Sequence, residues 1–552
     1  MTSTENPGRN RWLWLLAVGL MLAEFLLFDR MASVHHASIY PRWNDQIQYL
    51  RESYTAFEQA KAHGLAAGLK FALGKPALQG TLHDTSALVV FWLTGTASRS
   101  AALSLNLLVF LAWQASLLLV IARRSGSSAL GWMAFGLVLC LAGPWTGAAG
   151  SAVDFRLDHA AMCLMGLIST LALLTRGFRS TRWAVALGVA TGILLLERFL
   201  TGVYFTVIFL ASAVWILCGA ERGRRLGNLG LAGLLAAALA LPVFWLNRTA
   251  IYTYYWVGHI TGAEGAARSP GLDLWHSVQF IGRNLGHLHL GPWFGWTVAA
   301  VTTVLLLGFL LARAKPAPGT GPDRDWLYFA LAFLLLPAAV LCFHRQKSEY
   351  VLGVLAPGLV LLVLWLWAWL WSRFDVVRCR SAARWLPVAL AVGVVASGST
   401  YFAQRQLAAP YSDEFRASAI SVNAMADYIY AQSQARHLAN PYIAVDQIVD
   451  FMDAQILQVM CYERHKTWIP FVIQLPNSIL EDKDEVMLYR MQLCDYVLLT
   501  DAMPGNGYWP YDRQMRRLYP ELKAWCEGHL HHTQTFFLFG REMSLYEKRN
   551  GS

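Results

Sequence analysis

Apolar runs of roughly bilayer length recur through the first three quarters of the chain. They cover 12–28, 101–121, 129–147, 159–175, 183–199, 203–219, 229–246, 293–312, 326–343, 350–372 and 385–401. A helix of about 20 apolar residues crosses a bilayer, so the pattern predicts 11 spans. The polar stretches between them alternate in character. "GRNRW" at the N-terminus, "ARRSG", "TRGFRSTRW", "AERGRRLG", "ARAKPAPGTGPDRD" and "SRFDVVRCRSAARW" are all rich in arginine. Such loops stay on the cytoplasmic side, which places the N-terminus inside. The loop 29–100, the loop 148–158, a turn near 200, the loop 247–292, "HRQKSEY" and residues 402–552 then lie outside. The region 183–219 must cross twice, turning within "LLLERFLTGVYF". One long tilted helix there would put the later arginine clusters on the wrong side.

Two polar segments carry patterns of their own. In "YPRWNDQIQYLRESY", Ile47, Leu50, Tyr54 and Phe57 fall on one side of a helix, while Asp45, Gln48, Tyr49 and Glu52 fall on the other. That spacing predicts an amphipathic juxtamembrane helix within the outer loop. In the last 150 residues, "NPYIAVDQIVDF", "KTWIPFVIQLP" and "CDYVLLTD" read as short buried strands between helical stretches, and "FFLFG" with "MSLYEK" reads as a closing hairpin. The expected fold class is a polytopic α-helical membrane protein with a C-terminal periplasmic α/β domain: residues 1–401 form the membrane domain and 402–552 the soluble one. No internal repeat is visible, which weighs against an inverted-repeat transporter.

Composition agrees with the pattern. Of 552 residues, 56% are hydrophobic and only 14% charged, against about 25% in soluble domains. The net charge of +10 is spread in small groups between apolar runs. It serves membrane orientation and gives no reason to expect nucleic acid. The eight cysteines show no paired or zinc-binding spacing. The first apolar run lacks a small-residue cleavage site, so it reads as a retained anchor.

Ionisable residues near membrane depth are costly and are candidates for function. Apart from the cytoplasmic arginines, they gather at the outer ends of spans, which suits an enzyme acting at one face. Asp45 stands in the first turn of its helix, where the helix dipole alone would favour an acid; it is also placed to accept a proton from an acceptor hydroxyl. Asp154 and Asp158, four apart in "SAVDFRLDHAAM", can hold a divalent cation or a basic side chain. His83 and Asp84 offer a further metal or phosphate contact. Glu197 and Arg198 are adjacent in apolar sequence, either neutralising each other or leaving Arg198 for a phosphate. His344, Arg345 and Lys347 break the charge rule by lying outside, where they can meet a lipid phosphate. Arg268 adds a cation beside "YYW", whose rings can stack on a sugar.

With these residues in place, the chain resembles the GT-C superfamily of integral membrane glycosyltransferases, in the style of bacterial protein O-mannosyltransferases and the aminoarabinose transferases that modify lipid A. "RWNDQIQYL" is similar to the first-loop acidic motif, which implies that Asp45 is the catalytic base. "GTLHDTSALVVFWLTGTASRSAALSLNLL" resembles the stretch leading into the second span, with "HDTS" where the family often has a Pro-Pro pair. "DFRLDH" resembles the second acidic motif, and "QKSEYVLGVLAPGL" the late loop whose basic residue, here Lys347, faces the lipid phosphate. The resemblance implies a polyprenyl-phosphate sugar donor, inversion at the anomeric carbon and often a divalent metal such as Mg or Mn. The expected substrate-binding residues are Tyr49, His83, Arg198, Arg268, Arg345 and Lys347, and the expected metal ligands Asp154, Asp158 and Asp84. The acceptor would be a cell-envelope glycan, lipid or protein outside the bacterial inner membrane. Two rival readings are an oligosaccharyltransferase or polymer ligase using a diphosphate-linked glycan and a lipid-linked sugar transporter or flippase.

Overall fold

The computed structural model of the chain describes residues 7–41, 44–147, 150–261, 273–312, 322–344, 347–372, 385–408, 410–446, 455–466, 470–475, 483–500 and 510–549. Each expected span overlaps a helix, although 129–147 is α-helical only as far as Leu139. Among the described residues, eight helical segments are long and apolar enough to cross a membrane: Trp12–His36, Arg99–Ser125, Leu157–Leu174, Arg222–Leu246, Leu274–Leu310, Arg324–Phe343, Glu349–Ser372 and Leu386–Leu407. The other three expected spans correspond to shorter helices, Ser128–Leu139, Thr181–Glu197 and Thr201–Leu217. The first of these ends just before Gly143 and Pro144 begin a tight 3₁₀ turn. The other two are separate helices broken at Arg198, so 183–219 is not one long helix.

The loops expected to share the arginine-rich side do meet. Arg124 pairs with Asp323, and Arg179 reaches Glu221 at 3.3 Å and Asp325 at 3.2 Å. Four separate connections are thereby tied together at one end of the bundle. Polar side chains also join helices within it: Gln114 donates to Glu24 at 3.3 Å, and Trp326 donates to the Leu361 carbonyl at 3.1 Å. Such bonds, with close packing, hold helices that gain little from the hydrophobic effect in lipid.

At the opposite end, the amphipathic reading of the first loop holds for its apolar stripe, while Tyr49, expected on the polar side, is buried. A helix runs from Asn44 to His63, and Ile47, Leu50, Tyr54 and Phe57 are all buried. Helices Leu65–Gly74 and Leu82–Thr94 complete the loop.

Above them lies a five-stranded sheet, β1 (Tyr442–Asp446), β2 (Phe471–Leu475), β3 (Tyr496–Thr500), β4 (Leu530–Leu538) and β5 (Arg541–Lys548), in the order β2-β1-β3-β5-β4. β1 is parallel to both β2 and β3, and β5 is antiparallel to β3 and β4. Side chains alternate between the faces of a strand. Ile443, Val445, Tyr496 and Leu498 therefore join the core shared with the membrane helices, while Ala444, Val497 and Leu499 join Met487, Met491, Leu518 and Leu522 on the far side. Helices Asp413–Ala435 and Gln455–His465 lie on the near face, and Asp484–Gln492 and Pro510–His529 on the far face. The expected strands and hairpin are all present. The last apolar helix runs on to Leu407, past the expected end at 401.

Candidate active site

Asp45 lies in the first turn of the helix Asn44–His63, with its side chain about one third exposed. It opens onto a cavity at the end of the bundle beneath the sheet. The cavity wall also carries Gln79, Arg198, Tyr254, Tyr255, His344, Lys347 and Tyr350. An acid from the first loop and a lysine from the late loop thus share one chamber.

The second acidic motif reaches the chamber through arginines. Arg156 sits between Asp45, 3.6 Å away, and Asp154, 3.4 Å away, with its guanidinium 5.0 Å from the centre of the Tyr350 ring. The Asp154 carboxylate also accepts from the Gly150 amide at 2.7 Å, across a turn in which Gly150 has φ +78°. Gln46 ties the two loops together by accepting the Phe155 amide at 3.1 Å. Burial pushes the Asp154 carboxyl up to about 7, with Arg156 pulling the other way. The carboxylates beside Arg156 outweigh its burial and raise its own value.

Arg198 is held just as firmly. It lies 3.1 Å from Asp158 and donates to Gln79, which in turn donates to the Tyr254 hydroxyl at 2.6 Å. Its backbone is clasped by the first loop. Thr81 donates to the Leu196 carbonyl at 2.9 Å, and Phe199 donates to the Gln79 carbonyl at 2.7 Å. Gly80 is required between them, because a Cβ there would stand 2.0 Å from the Glu197 carbonyl oxygen. This clasp explains why the long apolar stretch breaks at 198.

Lys347 donates to the carbonyls of Leu341 at 2.9 Å, Cys342 at 2.9 Å and His344 at 2.5 Å. It caps the C-terminal end of Arg324–Phe343 and forms part of the cavity lining, and burial lowers its pKa. A wider, more open recess shares Phe280 and Lys347 with the first cavity and is walled by Asp273, His276, Arg283 and His287.

Other expected site residues lie behind this wall. His83 Nδ1 is 2.7 Å from Glu197, and its ring packs 4.1 Å from Phe155; Tyr49 is buried edge-on to that ring. Glu197 therefore pairs with His83 rather than with the neighbouring Arg198. Asp84 pairs with Lys75, which also pairs with Glu52. Arg268 and Arg345 lie outside the described residues. The sequence had not singled out Lys75, Gln79 or Gln46; for Lys75 and Gln79 their polar character within the largely apolar "FALGKPALQG" was the available signal, and Gln46 is one polar residue among many in its helix.

The carboxylates expected to bind metal each face a cation instead: Asp154 meets Arg156, Asp158 meets Arg198 and Asp84 meets Lys75. Among the described residues no group of three or more His, Cys, Asp or Glu side chains is arranged to hold a metal ion. The donor set therefore does not fit a divalent cation, and no step of the chemistry below passes through one.

One pH effect follows from burial. Asp84 is pushed up to about 6, with Lys75 opposing the shift. The folded state then binds a proton that the unfolded chain has already released, so stability falls as pH rises from about 4 through about 6. Asp84→Asn removes this proton, and its melting temperature is expected to vary less across that interval than the wild type's. Parallel slopes in melting curves recorded from pH 4 to 7 would refute the assignment.

No protein-family model and no curated protein sequence matches the chain. Solved structures do. ArnT from Cupriavidus metallidurans in the apo state aligns with 98% of this chain and 98% of its own, at 14% identity and a TM-score of 0.58. The same protein bound to undecaprenyl phosphate aligns with 97% and 98%, at 13% identity and 0.57. An Archaeoglobus fulgidus oligosaccharyltransferase in complex with Zn and sulfate aligns with 96% of this chain and 73% of its own, at 12% identity and 0.46. Over essentially its whole length, the chain has the fold of the ArnT structure.

Proposed function

We propose that the chain is an inverting glycosyltransferase that moves a sugar from a polyprenyl monophosphate carrier to an acceptor outside the cytoplasm. The observation that carries the reading is the shared chamber: Asp45 and Lys347 line one cavity, with Arg198 and three tyrosines on its walls. The fold of an enzyme solved with undecaprenyl phosphate is consistent with it.

In this reading the sugar lies against Tyr254, Tyr255 and Tyr350, and the carrier's phosphate lies on the Lys347 side. Asp45 accepts the proton of the acceptor hydroxyl as its oxygen bonds to the anomeric carbon. The bond from that carbon to the phosphate oxygen breaks, and the polyprenyl phosphate leaves with both electrons. Lys347 and Arg198 stabilise the charge that gathers on the departing phosphate. Arg268 and Arg345 are proposed to add to this positive field. His83, Tyr49 and Asp84 are proposed to shape the wall through Glu197, Phe155 and Lys75. Asp154 and Asp158 keep the two arginines in place, a role that needs no metal. The arginine-rich loops face the cytoplasm, so the chamber faces the periplasm.

The test supplies the purified full-length protein with a polyprenyl monophosphate monosaccharide or a polyprenyl diphosphate oligosaccharide, together with envelope extract as acceptor. Sugar transfer and release of polyprenyl phosphate are expected with the first donor alone. Turnover of only the diphosphate donor would overturn the proposal, as would scrambling of the lipid in vesicles without transfer.

A further inference from the structure

The helix Gln455–His465 belongs to the sheet end of the molecule, yet it is bonded along the helix that carries Asp45. Arg51 donates to Gln458 at 3.3 Å, Tyr54 donates to Glu463 at 2.7 Å, and Glu58 accepts from Tyr462 at 2.7 Å. The rings of Tyr54 and Tyr462 stack with centroids 4.6 Å apart. Positions 51, 54 and 58 form one stripe of a helix, so the contact is a continuous seam.

The seam ends on a buried ion pair. Arg99, only 3% exposed, donates to the Glu463 carboxylate at 3.1 Å from Nε and 2.5 Å from Nη2. Its remaining nitrogen donates to the His36 carbonyl at 2.9 Å and to the Ile39 carbonyl. Residues 36–39 are the backbone that leads into the Asp45 helix. Tyr411, also from the sheet end, meets His36 Nδ1 at 2.5 Å. One guanidinium therefore fastens the approach to Asp45, the start of the span Arg99–Ser125 and the helix above.

We propose that Glu463 is a positioning residue: through Arg99 it fixes where the helix carrying Asp45 begins, making the C-terminal layer a working part of the membrane site. Without the carboxylate, a buried guanidinium loses its counter-charge, and nothing then fixes the position from which its Nη1 holds the carbonyls of His36 and Ile39. A displacement of about 1 Å at a reacting group costs roughly 100-fold in rate. Lys347 and Arg198 sit on other elements, so donor binding is spared.

Glu463→Gln in the full-length protein, in detergent or nanodiscs, is expected to lower kcat at least about tenfold while the donor KM changes less than about twofold. Amide hydrogen exchange is expected to quicken in residues 36–52 and stay unchanged in Leu386–Leu407. Glu463→Asp should recover part of both effects. Arg464→Gln, which removes only the exposed pair with Asp427, should leave both as in wild type. The activity arm rests on the transferase reading; the exchange arm does not. Quickened exchange in a protein that transfers nothing would support the brace and sink the transferase. Unaltered exchange at 36–52, or a loss confined to donor KM, would overturn the positioning role. If Glu463→Gln fails to accumulate, the exchange pattern of Glu463→Asp decides, intermediate for the brace and wild-type against it.

Discussion

Asp45→Asn is expected to lower sugar transfer about a thousandfold, within the range that a positioned general base contributes, while polyprenyl phosphate still binds. Asparagine keeps the size of the side chain at the head of the helix, so the buried stripe of Ile47, Leu50, Tyr54 and Phe57 has no reason to shift. What it loses is the capacity to take a proton. Arg156 lies 3.6 Å away and is kept beside the asparagine. The measurement is the initial rate of polyprenyl phosphate release, with binding of the unglycosylated carrier followed separately. Retention of more than about a tenth of the wild-type rate would place the base elsewhere and leave Asp45 as a first-turn acid favoured by the helix dipole.

How much of this could be read from the chain depends on the range of the interaction. The Asp45 helix was legible because its apolar stripe repeats within one turn of helix, and its burial follows directly. The strands β1 and β3 were legible because they are short apolar runs bounded by polar residues. The grouping of loops was legible from arginine counts, and the pairs Arg124–Asp323 and Arg179–Asp325 now tie those loops together.

Partner choice was another matter. Glu197 stands next to Arg198 in the chain, yet it pairs with His83, because the end of the helix turns the two side chains apart. Asp154 and Asp158 looked like a metal pair from their spacing. In three dimensions they look in different directions, one toward Arg156 and one toward Arg198. Spacing gives which residues share a loop; it does not give which cation the fold delivers to them. The Arg99–Glu463 pair spans 364 positions, and no local pattern announces it.

Arg156→Gln is the substitution expected to cost the most stability. The arginine is 6% exposed and stands between Asp154 and Asp45, with Tyr350 against its face. At a pH above the Asp154 value, where that carboxyl is ionised, removing one partner of a buried ion pair leaves an uncompensated charge, typically at a loss of about 3–5 kcal/mol. Asp154 is the carboxylate most subject to that penalty, since it is itself 2% exposed and, among the described residues, retains the Gly150 amide as its donor. Adding Asp154→Asn should therefore recover much of the loss, so that the double variant unfolds at a higher temperature than Arg156→Gln alone. Activity should not return with stability, because Asp45 then faces the acceptor without its neighbouring cation. Arg156→Lys should fold better than the glutamine variant yet fall short of wild type, since an ammonium cannot both reach two carboxylates and lie flat on a ring. Thermal unfolding of the four proteins decides the matter. Equal destabilisation by Arg156→Gln with and without Asp154→Asn would mean that the arginine holds the loop by packing on Tyr350, and that the acidic motif is not its counterpart.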